Sequence, residues 1–77
     1  MKNIAPKNEI LALAEKMTAN DFLLEFASII TIDEMENLLD PNEGMANLIV
    51  EVDDDGKTED IALLFIGGEF DSYSYCS

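Results

Sequence analysis

Seventy-seven residues leave room for one small domain. Seventeen acidic residues stand against four lysines, a net charge of −13, with no arginine, no histidine and one cysteine. Imidazole catalysis and bidentate guanidinium clamps are therefore excluded. Direct nucleic-acid binding is disfavoured, because phosphate contacts need Lys or Arg.

Leu, Ile, Val and Phe together supply 23 of the 77 residues, enough for a folded core despite the charge. A chain this short buries only about 60% of its unfolded surface, so its stability margin is thin, and repulsion among the acids narrows it. No apolar stretch approaches the ~20 residues of a membrane span. Met1–Lys7 lacks the apolar core of a secretory signal. A lone Cys76 cannot close an internal disulfide, which suits a reducing cytoplasm. Two carboxylates could still form an acid–base pair, but so small a chain offers little volume for a pocket. The expectation is a non-enzymatic protein without a cofactor or a resident metal.

In chain order, Pro6 and Lys7 suit a helix start, and Lys7 to Met17 carries helical periodicity. Ile10, Leu11, Leu13, Ala14 and Met17 fall on one arc, with Asn8, Glu9, Ala12, Glu15 and Lys16 on the other. Thr18 to Asp21 reads as a break and a new N-cap. From Asp21 to Ile30 the apolar residues cover most of the circumference, which predicts a buried central helix. Thr31-Ile32-Asp33-Glu34 has capping-box form and predicts a third helix. On it Ile32, Met35, Leu38 and Leu39 share one arc, Asp33, Glu34, Glu36, Asn37 and Asp40 share the opposite one, and Pro41 ends it.

The period then changes. Ala46–Val52 and Glu59–Ile66 are rich in β-formers. Asp55-Gly56 between them predicts a type I′ hairpin turn, which needs two positive φ angles. A two-residue loop sets Val50 opposite Ile61, Leu48 opposite Leu63, and Glu51 opposite Asp60, a like-charge pair. Gly67-Gly68 is the next turn. Glu69–Cys76 alternates Phe70, Ser72, Ser74 and Cys76 against Glu69, Asp71, Tyr73 and Tyr75, as a third strand or a tail. The predicted architecture is α+β: two or three N-terminal helices packed on a short C-terminal antiparallel hairpin or meander.

The acids are concentrated. Residues 33–60 carry eleven of them against Lys57 alone, while residues 1–20 carry three lysines against Glu9 and Glu15. A negative surface of this kind raises encounter rates with a basic partner. The candidate contact residues are Asp33, Glu36, Asp40, Glu51, Asp53, Asp54, Asp55, Glu59 and Asp60. The plain alternative is a solvated acidic face that confers solubility.

Other motifs carry less. Asp53, Asp55 and Gly56 could be positions 3, 5 and 6 of an EF-hand loop, but position 12 would be Ala62 where a bidentate Glu is required. The size and acidity are similar to those of acyl carrier proteins, yet the one Asp-Ser pair, Asp71-Ser72, opens no helix in mid-chain. Nothing basic neighbours Cys76 to activate it. Phe70, Tyr73 and Tyr75 could anchor a partner or pack a third strand. Met17 and Met35 read as core.

In length, charge, single cysteine and acidic block at 33–60, the chain resembles the small acidic inhibitors encoded by phages and mobile elements. These include DNA mimics and anti-CRISPR or anti-restriction proteins. The resemblance implies occupation of the basic nucleic-acid cleft of a defence complex, in the host cytoplasm if a phage encodes the chain. An immunity protein or antitoxin that neutralises a basic toxin such as a nuclease uses the same charge logic through a more mixed interface. The expected partner is a basic protein or nucleic-acid-binding complex, with the chain a monomer or a weak homodimer.

Overall fold

A computed structural model describes residues 4–36 and 40–76. Among them are two helices and a five-stranded mixed sheet. The strands are β1 (Ala5–Pro6), β2 (Ile30–Met35), β3 (Met45–Asp54), β4 (Lys57–Ile66) and β5 (Glu69–Tyr75); the helices are α1 (Lys7–Lys16) and α2 (Ala19–Glu25). The α+β class stands, but the sheet is larger than a C-terminal hairpin and starts at Ala5.

The hairpin β3–β4 is the spine. Asp55 and Gly56 take φ values of 54° and 86°, the two positive angles of a type I′ turn. The register follows: Leu48 faces Leu63, Val50 faces Ile61, and Glu51 faces Asp60. Along each strand alternate residues point to one face. Ala46, Leu48, Val50 and Val52 of β3 and Ile61, Leu63 and Phe65 of β4 are fully buried there. The helices cover this face with Ile10 and Ala14 from α1 and Ala19 and Phe22 from α2. Phe22 bridges Phe26 and Phe65 at ring-centroid separations of 4.8 and 5.6 Å, and Phe65 meets Phe70 at 5.8 Å.

α1 agrees with its periodicity: Ile10 and Ala14 are buried, and Leu11, Leu13 and Met17 pack around them. α2 differs from its expected role. It ends at Glu25, and Leu24 is 69% exposed, so the buried centre is the hairpin rather than this helix. Its cap is Thr18, whose hydroxyl accepts from the Asp21 amide at 3.2 Å. The Ala19 amide donates to the Gly68 carbonyl at 2.8 Å, and the Asn20 amide to Asn42 Oδ1 at 2.9 Å. Three amides of the first helical turn are thus satisfied from three different parts of the chain.

The third helix is replaced by β2. Ile30, Thr31 and Ile32 are three consecutive β-branched residues, and the free edge of β3 offers them a ladder. The helical spacing from Ile32 to Met35 arises from a bulge. Ile32 faces Leu48, Glu34 faces Asn47 and Met35 faces Ala46, so the extra residue Asp33 turns an i, i+2 step into i, i+3. Leu38 and Leu39, expected on the same arc, lie outside the described residues, as does Asn37.

Glu69–Tyr75 is the third strand of the meander, β5, and it too is bulged. Phe70 faces Phe65, but Ser72 faces Leu64 and Tyr73 faces Leu63. The extra residue, Asp71, brings Phe70, Tyr73 and Tyr75 onto the helix-covered face and corrects the simple alternation that set Phe70 apart from the tyrosines. β1 adds a short parallel pairing, Ala5 to Val52 and Pro6 to Asp53, beyond the end of β2.

Candidate functional site

The nine acidic candidates are dispersed by the fold into three settings. The first is structural. Asp53 Oδ1 accepts from the Gly56 amide at 3.1 Å and braces the turn. Asp40 Oδ1 accepts from the Asn42 amide at 2.9 Å. Asp54 Oδ2 accepts from the Tyr75 hydroxyl at 2.6 Å and lies 3.6 Å from Lys7 Nζ, which itself donates to Tyr75 Oη at 2.8 Å. The Lys7 ammonium also lies 5.7 and 5.4 Å from the Tyr73 and Tyr75 ring centroids. This cluster ties the start of α1 to the hairpin tip and to β5, so Tyr73 and Tyr75 have an internal task.

Its electrostatics follow from that geometry. The Tyr75 hydrogen bond, then the Lys7 charge, hold the Asp54 carboxyl below its ordinary 3.8. The bond to Tyr75, then the Asp54 charge, raise Lys7 above its ordinary 10.5. Asp54 therefore contributes stability that is present above pH 3.8 and lost as pH falls through its depressed folded value. Asp54→Asn is expected to melt a few degrees lower than the wild type by a constant margin between about pH 5 and 8, and that margin is expected to close in more acid solution. Circular-dichroism melts of both proteins across this range check it; a margin that widens in acid would contradict the assignment.

The second setting is the hairpin tip and flanks. Asp55 is exposed in the turn, and Glu36 is exposed beyond β2. Glu59 lies opposite Val52 and so belongs to the helix-covered face. Asp33, Glu36 and Asp40, expected on one helical arc, are not so arranged, because Asp33 lies in β2 and Glu36 follows its end.

The third setting is the opposite face of the sheet, which neither α1 nor α2 covers. Glu51 and Asp60 are direct cross-strand partners there, and Asp53 follows Glu51 by two residues. Directly opposed like charges cost about 0.2–1 kcal/mol. Asp33 accepts a 3.3 Å hydrogen bond from Asn47 Nδ2 at the bulge beside them, with Glu34 opposite Asn47. The acids share this face with apolar side chains. Met45 faces Ile66, Asn47 faces Leu64, and Ile49 faces Ala62. A shallow cleft of about 290 Å³ runs across all four long strands, from Glu34 over Asn47, Ala62 and Leu64 to Ser72 and Ser74. A second of about 310 Å³ adjoins it, lined by Thr31, Ile49, Glu51 and Asp60.

The sequence reading missed this apolar floor. The signal was available: Met45, Ile49, Ala62, Leu64 and Ile66 alternate with the buried set, so both faces of β3 and β4 carry apolar residues.

Among the described residues no three potential ligand side chains converge as a metal centre. Partial desolvation, then the Asp60 and Asp33 carboxylates, push the exposed Cys76 thiol up, away from a reactive thiolate. No described helix is long and apolar enough to cross a membrane. In comparisons with protein-family models, curated proteins and solved structures, the chain matches none.

Proposed function

We propose that this protein is an acidic inhibitor that binds the basic nucleic-acid-binding surface of another protein or complex, by DNA mimicry of the anti-CRISPR or anti-restriction kind. One observation carries the reading: eleven acids in residues 33–60 against a single lysine. Duplex DNA bears a charge about every 1.7 Å of its axis, so a protein that occupies a DNA site gains from carboxylates held on a rigid frame. Cross-strand neighbours such as Glu51 and Asp60 stand ~5 Å apart, and residues two apart on a strand, such as Glu51 and Asp53, ~6.6 Å apart. Tethered carboxylates at these spacings meet the lysines and arginines that normally hold phosphate.

A second reading is an immunity protein or antitoxin that neutralises a basic toxin such as a nuclease. The apolar residues Ile49, Ala62 and Leu64 among the acids favour it, because they suit a mixed interface.

The test is partner capture on tagged protein, beside a Glu51→Gln/Asp55→Asn/Asp60→Asn variant. The expected result is a nucleic-acid-binding protein or complex that the wild type retains, that competing duplex DNA displaces, and that the variant holds at least tenfold more weakly. A cognate toxin, indifferent to competing DNA, would favour the second reading. Capture that is equal for both proteins would sink the charge-based reading.

A further inference from the structure

We propose that the face of the sheet that neither described helix covers seats a basic amphipathic helix of the partner, its apolar side chains over Ala62 and Leu64 and its Lys or Arg over Asp60 and Glu51. The proposal rests on the reading above and names the chemistry of the contact. Three features of the molecule lead to it.

The first is the layering. Both described helices lie on one side of the sheet, and the other side presents half-buried Ile49, Ala62 and Leu64 with Met45 and Ile66 at 42 and 46% exposure. Sheets with a continuous apolar strip on both faces are normally covered on both. A helix is the element that covers such a strip, and the first cleft crosses the strip from β2 to β5.

The second is polarity along the strands. From the Gly67 end to the turn, the β3–β4 pairs read Met45–Ile66, Asn47–Leu64, Ile49–Ala62 and Glu51–Asp60, so on the two central strands apolar passes to acidic, with Glu34 of β2 and Glu69 of β5 flanking the apolar part. The centre of the Ala62–Leu64 floor and Asp60 are about three residues apart along β4, roughly 10 Å. That is about seven residues of helix, two turns. The complementary segment carries an apolar residue followed two turns later by Lys or Arg on the same side. Polylysine lacks the first half of that pattern.

The third is what the other surfaces decline. The two longer edge strands carry a bulge with an aspartate at it, Asp33 on β2 and Asp71 on β5, and bulges and edge charges oppose strand addition. A second copy would set two −13 chains acid against acid across the same face. Only a cationic occupant satisfies floor and rim together.

The experiment uses the full chain and a fluorescent 14-residue Leu/Lys peptide that folds as an amphipathic helix, with a scrambled Leu/Lys peptide and an oligolysine of equal charge as controls. Anisotropy gives affinity, and amide chemical shifts give location. The expected result is perturbation of residues 45–51 and 60–64, with at least tenfold weaker binding of both controls. Leu64→Asn and, independently, Ile49→Thr are expected to weaken the helical peptide about tenfold while their amide spectra stay folded. Equal binding by oligolysine or by the scrambled peptide would overturn the proposal, as would perturbations confined to the 53–56 turn or to the β5 edge, or self-association through this face in sedimentation. The two readings separate cleanly. A captured, DNA-displaceable partner that ignores Leu64→Asn leaves the inhibitor reading intact and ends this one. A helical peptide that binds as expected, with no basic partner captured, does the reverse.

Discussion

Phe65→Ala is expected to lower the melting temperature by about 15–30 °C and to leave much of the chain unfolded in mild urea. A buried Phe→Ala change removes about 3–5 kcal/mol in transfer and cavity terms. Phe65 sits at the junction of three elements, touching Phe22 of α2 at 5.6 Å and Phe70 of β5 at 5.8 Å, so the void cannot be closed by one neighbour alone. At about 0.05–0.15 kcal/mol per residue, a domain of this size has only ~4–12 kcal/mol to lose, and each kcal/mol shifts the midpoint by about 4–8 °C. Leu24→Ala is the matched control. Leu24 is 69% exposed despite lying in the most apolar helical segment, and its truncation is expected to stay within about 0.5 kcal/mol. Urea melts of both variants check the pair; comparable losses would mean that the core is centred on α2 after all.

That contrast also shows where the sequence was legible. α1 and the β3–β4 hairpin were readable because each carries a strong local signal: a clean 3.6-residue period with charged residues opposite, and Asp-Gly between two β-rich runs. Even the unfavourable Glu51–Asp60 register was readable, since the turn leaves no freedom to avoid it. β2 was not, because its evidence pointed two ways. Thr31 to Glu34 fits a capping box, and Ile32 and Met35 fit a helical arc, but the bulge at Asp33 produces the same spacing in a strand. A long-range ladder on β3 settled what local propensity left balanced. β5 hid its facing in the same way, through Asp71.

The candidate site was legible in charge and illegible in geometry. Counting acids located the block at 33–60, yet several of its members carry internal hydrogen bonds: Asp33 at the bulge, Asp53 in the turn, Asp40 in its loop and Asp54 in the lock with Tyr75 and Lys7. Pairings between residues 21 and 68 positions apart cannot be read from spacing along a chain. The cross-strand pair Glu51 and Asp60, beside Ile49, Ala62 and Leu64, is a property of the sheet face. It appears only once β3 and β4 are known to have helices on one side.

Gly68→Ala is expected to cost about 2–4 kcal/mol, against about 1–2 for Gly67→Ala in the same turn. Both glycines take positive φ, 61° and 86°, so any side chain with a Cβ pays the left-handed penalty at either position. They differ in what the Cβ would meet. At Gly67 there is open space, whereas at Gly68 it would lie 3.1 Å from Asn42 Cβ and 3.2 Å from Asn42 Cα and Oδ1. Asn42 cannot retreat freely, because its Oδ1 holds the Asn20 amide at 2.9 Å while the Gly68 carbonyl holds the neighbouring Ala19 amide at 2.8 Å. One methyl group therefore presses on both contacts that hold the start of α2, one to Asn42 and one to the β4–β5 turn. Beyond the lower urea midpoint, the expected signature is faster hydrogen exchange at the Ala19 and Asn20 amides in Gly68→Ala, with Gly67→Ala leaving them protected. If both variants lose equal stability and leave those amides alike, backbone strain alone governs the turn, and Asn42 is not the keystone between it and the helix.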